Sequence, residues 1–232
     1  MMVTQASLIP NFHNVDCIDY MRSMGDKSID FTLTDVPYGL VEKGSDKSIR
    51  NLEYGAANIE TFDLTEFLNQ VSRITKNGVC IFCAWDQFSQ IITHFRTQKG
   101  TVRPIVWEKT NPLPLNPKLN YLSAVELAVW WRAPKAPFNA NFKSNVFRYS
   151  VQAGDKIKSH PTKKNVEMFK DIILDNTNPG DLVFDPCCGS GTTIEACLQS
   201  NRRYIACELD PVFYETTSKY LNYNYSMLIA MS

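Results

Sequence analysis

The chain has 232 residues, 44% of them apolar, and its 24 basic side chains balance 24 acidic ones. That size suffices for one well-buried domain, expected over residues 1–232, and leaves little for a second. A formal net charge of zero excludes a partner held by overall charge, so any polyanion must be met by a local patch. No apolar run reaches spanning length, and no charged stretch followed by an apolar signal core opens the chain. The expectation is therefore a cytoplasmic protein with no membrane partner.

In chain order, strand-length apolar or β-branched runs occupy residues 30–34, 78–84, 102–107, 127–131, 182–184 and 204–207. Helical patterns lie between them at 65–74, 88–97, 165–174, 192–200 and 211–221. Such alternation predicts an α/β fold with a mostly parallel sheet. Sheets of this kind take ligands beyond the carboxyl ends of their strands, where the strand order switches. Residues 42–62 are polar and read as a long surface loop. The stretch 132–164 is rich in Pro, Asn, Lys and Ser. It carries Arg132, Lys135, Lys143, Arg148, Lys156, Lys158, Lys163 and Lys164 against one acid, Asp155. It reads either as a solvated connection or, more pointedly, as a surface for phosphates and base edges.

The seven cysteines are an odd number, with Cys187 and Cys188 adjacent, so they form no disulfide framework. Cys80 and Cys83 have the spacing of half a zinc site. No second Cys or His pair follows, and their surroundings read as a buried strand. No metal is expected.

Two segments carry chemistry. In the first, Leu182-Val183-Phe184 leads into Asp185-Pro186-Cys187-Cys188-Gly189-Ser190-Gly191, and a helix opens near Thr192. Glycines permit positive φ and close approach to a ligand, and a helix start offers free N–H groups. The next strand ends at Glu208, an acid placed to accept both hydroxyl protons of a ribose. Asp185 could pair with an ammonium group on the same ligand. A nucleoside-bearing cofactor fits better than a nucleoside triphosphate, because no Gly-Lys-Ser/Thr follows, and better than a dinucleotide, because the third glycine is missing.

In the second segment, strand residues Phe31 to Thr34 lead into Asp35-Val36-Pro37-Tyr38. Pro37 biases Val36 to an extended conformation that presents its carbonyl outward. A base amine has two N–H groups; the Asp35 carboxylate and the Val36 carbonyl can accept one each. Tyr38 would stack on the base, and its ring would also favour a nearby sulfonium. The base must leave the duplex to reach such a pocket.

With these residues, the chain resembles the beta class of amino-group DNA methyltransferases. In that class an acid-Pro-Pro-Tyr motif precedes the cofactor glycines, with the target-recognition segment between them. Val15-Asp16-Cys17 resembles the segment that meets the cofactor adenine. His160-Pro161-Thr162-Lys163-Lys164 resembles a motif beside its methionine part, and residues 107–112 resemble a segment near the target base.

The resemblance implies a Rossmann-like fold in circularly permuted motif order, with helices on both faces of the sheet and a short recognition insertion around 132–160. It implies S-adenosylmethionine as cofactor, with contacts from Asp16, Cys17, Thr162, Lys164, Asp185, Pro186, Cys187, Gly189, Ser190, Gly191, Thr192, Glu208 and Leu209. The expected catalytic residues are Asp35, Val36, Pro37 and Tyr38. The partner implied is double-stranded DNA, held by Arg132, Lys135, Lys143, Arg148, Lys156 and Lys158; a homodimer and a restriction endonuclease partner are further expectations from the family. Adenine N6 is the expected target, since relatives acting on cytosine N4 more often begin the motif with Ser. N4 of cytosine, an RNA or protein-amide substrate, and an inactive nucleic-acid binder remain alternatives. The chain departs from the family at Val36, which replaces a proline, and at Cys187, which replaces an aromatic residue.

Overall fold

The structure is a computed structural model that describes residues 9–38, 62–112, 114, 118–151 and 163–229, with side chains to residue 226. Its elements run β1 (Phe12–Asn14), α1 (Cys17–Ser23), β2 (Ile29–Asp35), α2 (Leu64–Ile74), β3 (Thr75–Cys83), α3 (Phe88–Arg96), β4 (Thr101–Lys109), β5 (Val125–Arg132), β6 (Val146–Tyr149), α4 (Val166–Asn176), β7 (Leu182–Asp185), α5 (Thr192–Ser200), β8 (Arg203–Glu208) and α6 (Pro211–Ile229). Asp63 and Asn165 cap α2 and α4 by accepting from the N–H groups of Glu66 and Met168, which satisfies donors a helix start leaves open.

The eight strands form one sheet in the order β1-β8-β7-β2-β3-β5-β4-β6. Only β5 runs antiparallel to its neighbours, β3 and β4; every other pairing is parallel. The carboxyl ends of seven strands and the amino end of β5 therefore share one edge. Beyond β2 the chain builds outward through β3, then returns to the other side of β2 with β7. The gap between β2 and β7 is thus the switch point at which sheets of this class hold ligands.

Side chains alternate across the sheet as a period of two requires. Phe31, Leu33, Cys80, Phe82, Val183 and Ala206 pack with Phe169, Ile172, Ile173 and Ile194 of α4 and α5. Val79, Ile81, Cys83, Phe184 and Cys207 face the other way, onto Met21, Phe67, Val71 and Ile91 of α1, α2 and α3. Helices thus cover both faces, as expected. Cys80 and Cys83 are core residues, and the described residues hold no group able to bind a metal ion.

Three elements escape the sequence patterns. β1 has three residues and α1 seven, too few for a period to emerge. β6 lies inside the basic stretch and gains its pairing only from β4. Helix α6 continues past residue 221 to Ile229, where Tyr225 donates its hydroxyl to Glu195 of α5.

Candidate active site

The turn Asp35-Val36-Pro37-Tyr38 leaves the carboxyl end of β2 and is held from β3. The Val36 N–H donates to the Phe82 carbonyl at 3.1 Å. Gln87 acts as a staple: its Oε1 accepts from the Ala84 N–H at 3.0 Å and its Nε2 donates to the Pro37 carbonyl at 2.8 Å. No donor among the described residues reaches the Val36 carbonyl, which is the group the amine reading requires. Tyr38 donates its hydroxyl to Asp35 Oδ1 at 2.7 Å. The residue is 37% exposed, while burial of its hydroxyl end, with Asp35 and Glu126 close by, pushes the phenol well above its ordinary range.

A buried ammonium completes this side. Lys164 Nζ lies 2.6 Å from Asp35 Oδ2 and 2.8 Å from Glu126 Oε2, and 3.3 Å from the Tyr38 hydroxyl. Glu126 Oε1 pairs in turn with Lys109 Nζ at 2.8 Å. Burial pulls Lys164 down, but Asp35 and Glu126 outweigh it and the amine ends above its ordinary value. Burial pushes Glu126 up, but Lys164 and Lys109 hold it below the usual carboxylate range. Lys164 was expected beside the cofactor. The structure sets its ammonium against the acid of the Asp35 turn and adds Lys109, from the 107–112 segment, and Glu126, which the sequence patterns did not single out.

The glycine turn lies on the other side of the switch point. Thr34 of β2 donates to Asp185 Oδ1 at 2.7 Å, so the two motif-bearing strand ends touch. Thr193 and the Cys187 N–H also donate to Asp185, which is 3% exposed. This carboxyl therefore sits beneath the turn and pins it, with both oxygens engaged inside the fold, rather than standing open to a ligand ammonium. Burial pushes its pKa up to about 7 against the pull of those donors.

Gly191 has φ 79° at the start of α5. A Cβ there would come within 2.8 Å of Thr217 Cγ2 on α6, so the position demands glycine for conformation and for space. Glu208 closes the site: its Oε2 accepts from the Gly189 N–H and its Oε1 from the Asp210 N–H, both at 2.8 Å. Asn14 bridges to the carbonyls of Glu208 and Leu209. The Val15 N–H donates to the Glu208 carbonyl at 3.2 Å, and Val15 and Leu209 are both exposed. The backbone N–H groups of Gly189, Asp210 and Leu209 act on this carboxylate and do not fill its four lone-pair positions. A fixed acid for a diol beside a glycine turn fits a nucleoside, so the residues present suit the cofactor that the resemblance implies.

Other expected contacts are placed as follows. Asp16 caps α1, accepting from the N–H groups of Ile18 and Asp19. Cys17 is buried and Cys187 half-buried. Ser190 and Thr192 lie buried in the turn with their hydroxyls 3.3 Å apart, and Pro186 is part of the same turn. Thr162, Lys156 and Lys158 fall outside the described residues.

The remaining basic residues do not share one surface. Arg132 ends β5 in register with Gly78 and Thr101, the amino-terminal parts of β3 and β4. At about 3.3 Å per residue, it lies roughly 20 Å from Glu126 along the strand. It donates to the Ala136 carbonyl and lies over the Phe138 ring, and Lys135 follows three residues on. Lys143 pairs with Asp175 and Asp171 of α4. These three occupy the far edge of the sheet because β5 runs backwards. Arg148 alone is at the site's edge, with its side chain 72% exposed and paired with Glu108 at 2.8 Å.

A mostly parallel α/β sheet with a nucleoside-type turn on one strand end and an acid-aromatic turn on the next is the architecture of a Rossmann-like methyltransferase. A family model described as DNA methylase matches residues 29–219, and the chain belongs to this N6/N4 DNA methylase family. It is 28% identical over 237 residues to the type II methyltransferase M2.MboI of Moraxella bovis, covering 90% of this chain and 86% of that protein. The crystal structure of the M1.HpyAVI-SAM complex is 26% identical, with TM-score 0.69, covering 91% of this chain and 99% of that one. The cytosine-N4-specific PvuII DNA methyltransferase, 17% identical, shares the fold with TM-score 0.68 over 95% and 93% of the two chains.

Proposed function

We propose that this DNA methyltransferase moves a methyl group from S-adenosylmethionine to N6 of adenine within a short site in double-stranded DNA. The observation that carries the reading is the Thr34–Asp185 hydrogen bond, since it joins the amine-accepting turn to the cofactor turn at the switch point. Bound S-adenosylmethionine supplies an electrophilic methyl group, as sulfonium chemistry provides. Glu208 accepts the ribose hydroxyls, and Gly189 to Gly191 let the ligand approach the backbone.

Asp35 and the Val36 carbonyl each accept one amine N–H, which orients the nitrogen lone pair. Catalysis is chiefly positioning and preorganised hydrogen bonding. Asp35 also stands ready to take the proton that the nitrogen gives up. Val36 serves here through its carbonyl, so replacing the family's proline costs rigidity rather than a functional group.

DNA is proposed to approach the carboxyl edge. The β4–β5 connection projects there with Leu119 and Tyr121 exposed, and Trp85 is exposed just beyond β3. Exposed aromatic faces suit a base pulled from its stack. Nucleoside digestion of DNA treated with the protein and the cofactor tests the reading. N6-methyladenine is the expected product. N4-methylcytosine would transfer the same chemistry to the other base, and no methylated nucleoside would overturn the reading.

A further inference from the structure

Four charged side chains from four parts of the chain alternate in sign across the site: Lys109, Glu126, Lys164 and Asp35, linked at 2.8, 2.8 and 2.6 Å. Only an antiparallel strand can bring its first residues to this edge between β3 and β4, and β5 brings Glu126. Burying Lys164, whose side chain is 7% exposed, is costly unless acids surround it. Asp35 alone would pair with it fully. We propose that Glu126 is a positioning residue for methyl transfer, holding the Lys164 ammonium on Asp35 Oδ2 so that the carboxylate plane is fixed and its remaining acceptor sites face the target amine.

The inference rests on the methyltransferase reading. Glu126 shares Lys164 with Asp35 and, through Lys109, keeps the array neutral. If Glu126 loses its charge, Lys164 is drawn wholly onto Asp35. The acid is then turned and its lone pairs are taken up, while the cofactor turn across the switch point is untouched. The signature is a defect in turnover without one in binding.

The test compares Glu126→Gln, Glu126→Asp and Lys164→Met in single-turnover and steady-state methylation assays, with cofactor affinity read by calorimetry. Glu126→Gln should lower kcat roughly 10- to 100-fold, the scale on which a misplaced reacting group slows a reaction. Cofactor affinity and the KM for DNA should stay near the wild-type values, and Glu126→Asp should recover part of the rate. Adding Glu126→Gln to Lys164→Met should cost nothing further, because Glu126 acts through that ammonium. Full kcat in Glu126→Gln, an equal loss in both backgrounds, or a loss confined to binding would overturn the inference. A wild-type protein that deposits no methyl group would instead overturn the reading beneath it.

Discussion

The two edges of the sheet carry similar side chains to different ends. At the carboxyl edge, Lys164, Glu126, Asp35 and Glu208 are half-buried or buried beside backbone groups left open. At the amino edge, Arg132 lies over Phe138, while Lys143 lies over Phe147, pairs with α4 acids and borders a cavity of about 330 Å³ lined by Trp130, Ile105 and Phe147. One reversed strand separates them, since β5 starts at the first edge and ends at the second. A basic run in the sequence is therefore not a basic surface. Where a cation acts is decided by strand direction and by the acids that other elements bring to it.

The comparison breaks first at Asp35. Asp35→Ala should reduce methyl transfer by roughly a thousandfold or more, the scale of losing a preorganised group at the reacting atom, with cofactor affinity unchanged by calorimetry. Substantial turnover in that variant would mean the carboxyl edge is not the reacting edge. Glu208→Ala should do the reverse. It should weaken cofactor binding roughly 10- to 100-fold, because hydrogen bonds to a charged group contribute about 1.5–3 kcal/mol each, and leave the modified base the same.

Adjacent lysines sharpen the contrast further. Lys164 serves the Asp35 turn, whereas Lys163 points the other way. It donates to Glu195 and to the Tyr220 hydroxyl, which lies 3.2 Å away. Glu195 is 2% exposed. Lys163→Met leaves that carboxylate buried without its cation and should destabilise the fold by about 3–5 kcal/mol in denaturant melts. A loss much smaller than this would show that the tyrosine hydroxyls suffice for Glu195.

A pH-dependent effect is expected from Asp185. Its folded pKa is raised from the ordinary 3.8 to about 7, so folding favours its protonated form. The associated stability is fully present below pH 4 and is lost as pH rises through 4 to 7. Asp185→Asn keeps the shape and should remove this slope. Melting temperatures that fall with rising pH as steeply as in the wild type would place the slope elsewhere.

Much of the fold was legible because its central strands are runs of β-branched and aromatic residues, such as Phe31 to Thr34 and Val79 to Phe82, separated by amphipathic helices. The glycine turn and Asp35 to Tyr38 were legible as motifs, since each works through local backbone geometry. Glu126 was not. Its proposed role depends on β5 being antiparallel and on Lys164 reaching across from the start of α4, both tertiary facts. The available signal was a lone acid at the mouth of the apolar run Val125-Glu126-Leu127-Ala128-Val129. The placement of Arg132, Lys135 and Lys143 at the amino edge was hidden for the same reason. Their charge is visible in the sequence, but Asp171 and Asp175, which meet Lys143, lie in another element.

The smallest effect is the most direct test of the two-edge comparison. Phosphate contacts made by a cation show in the dependence of DNA affinity on salt, and each one removed lowers that slope by about one. Arg148 stands at the carboxyl edge with its side chain mostly in solvent, so Arg148→Ala should lower the slope by about that amount. Arg132→Ala and Lys143→Ala should leave both slope and affinity as they were, since DNA lying across the carboxyl edge does not reach them. A reduced slope in either amino-edge variant would mean that the duplex wraps from one edge to the other. The reversal of β5 would then extend the DNA-binding surface rather than divide it.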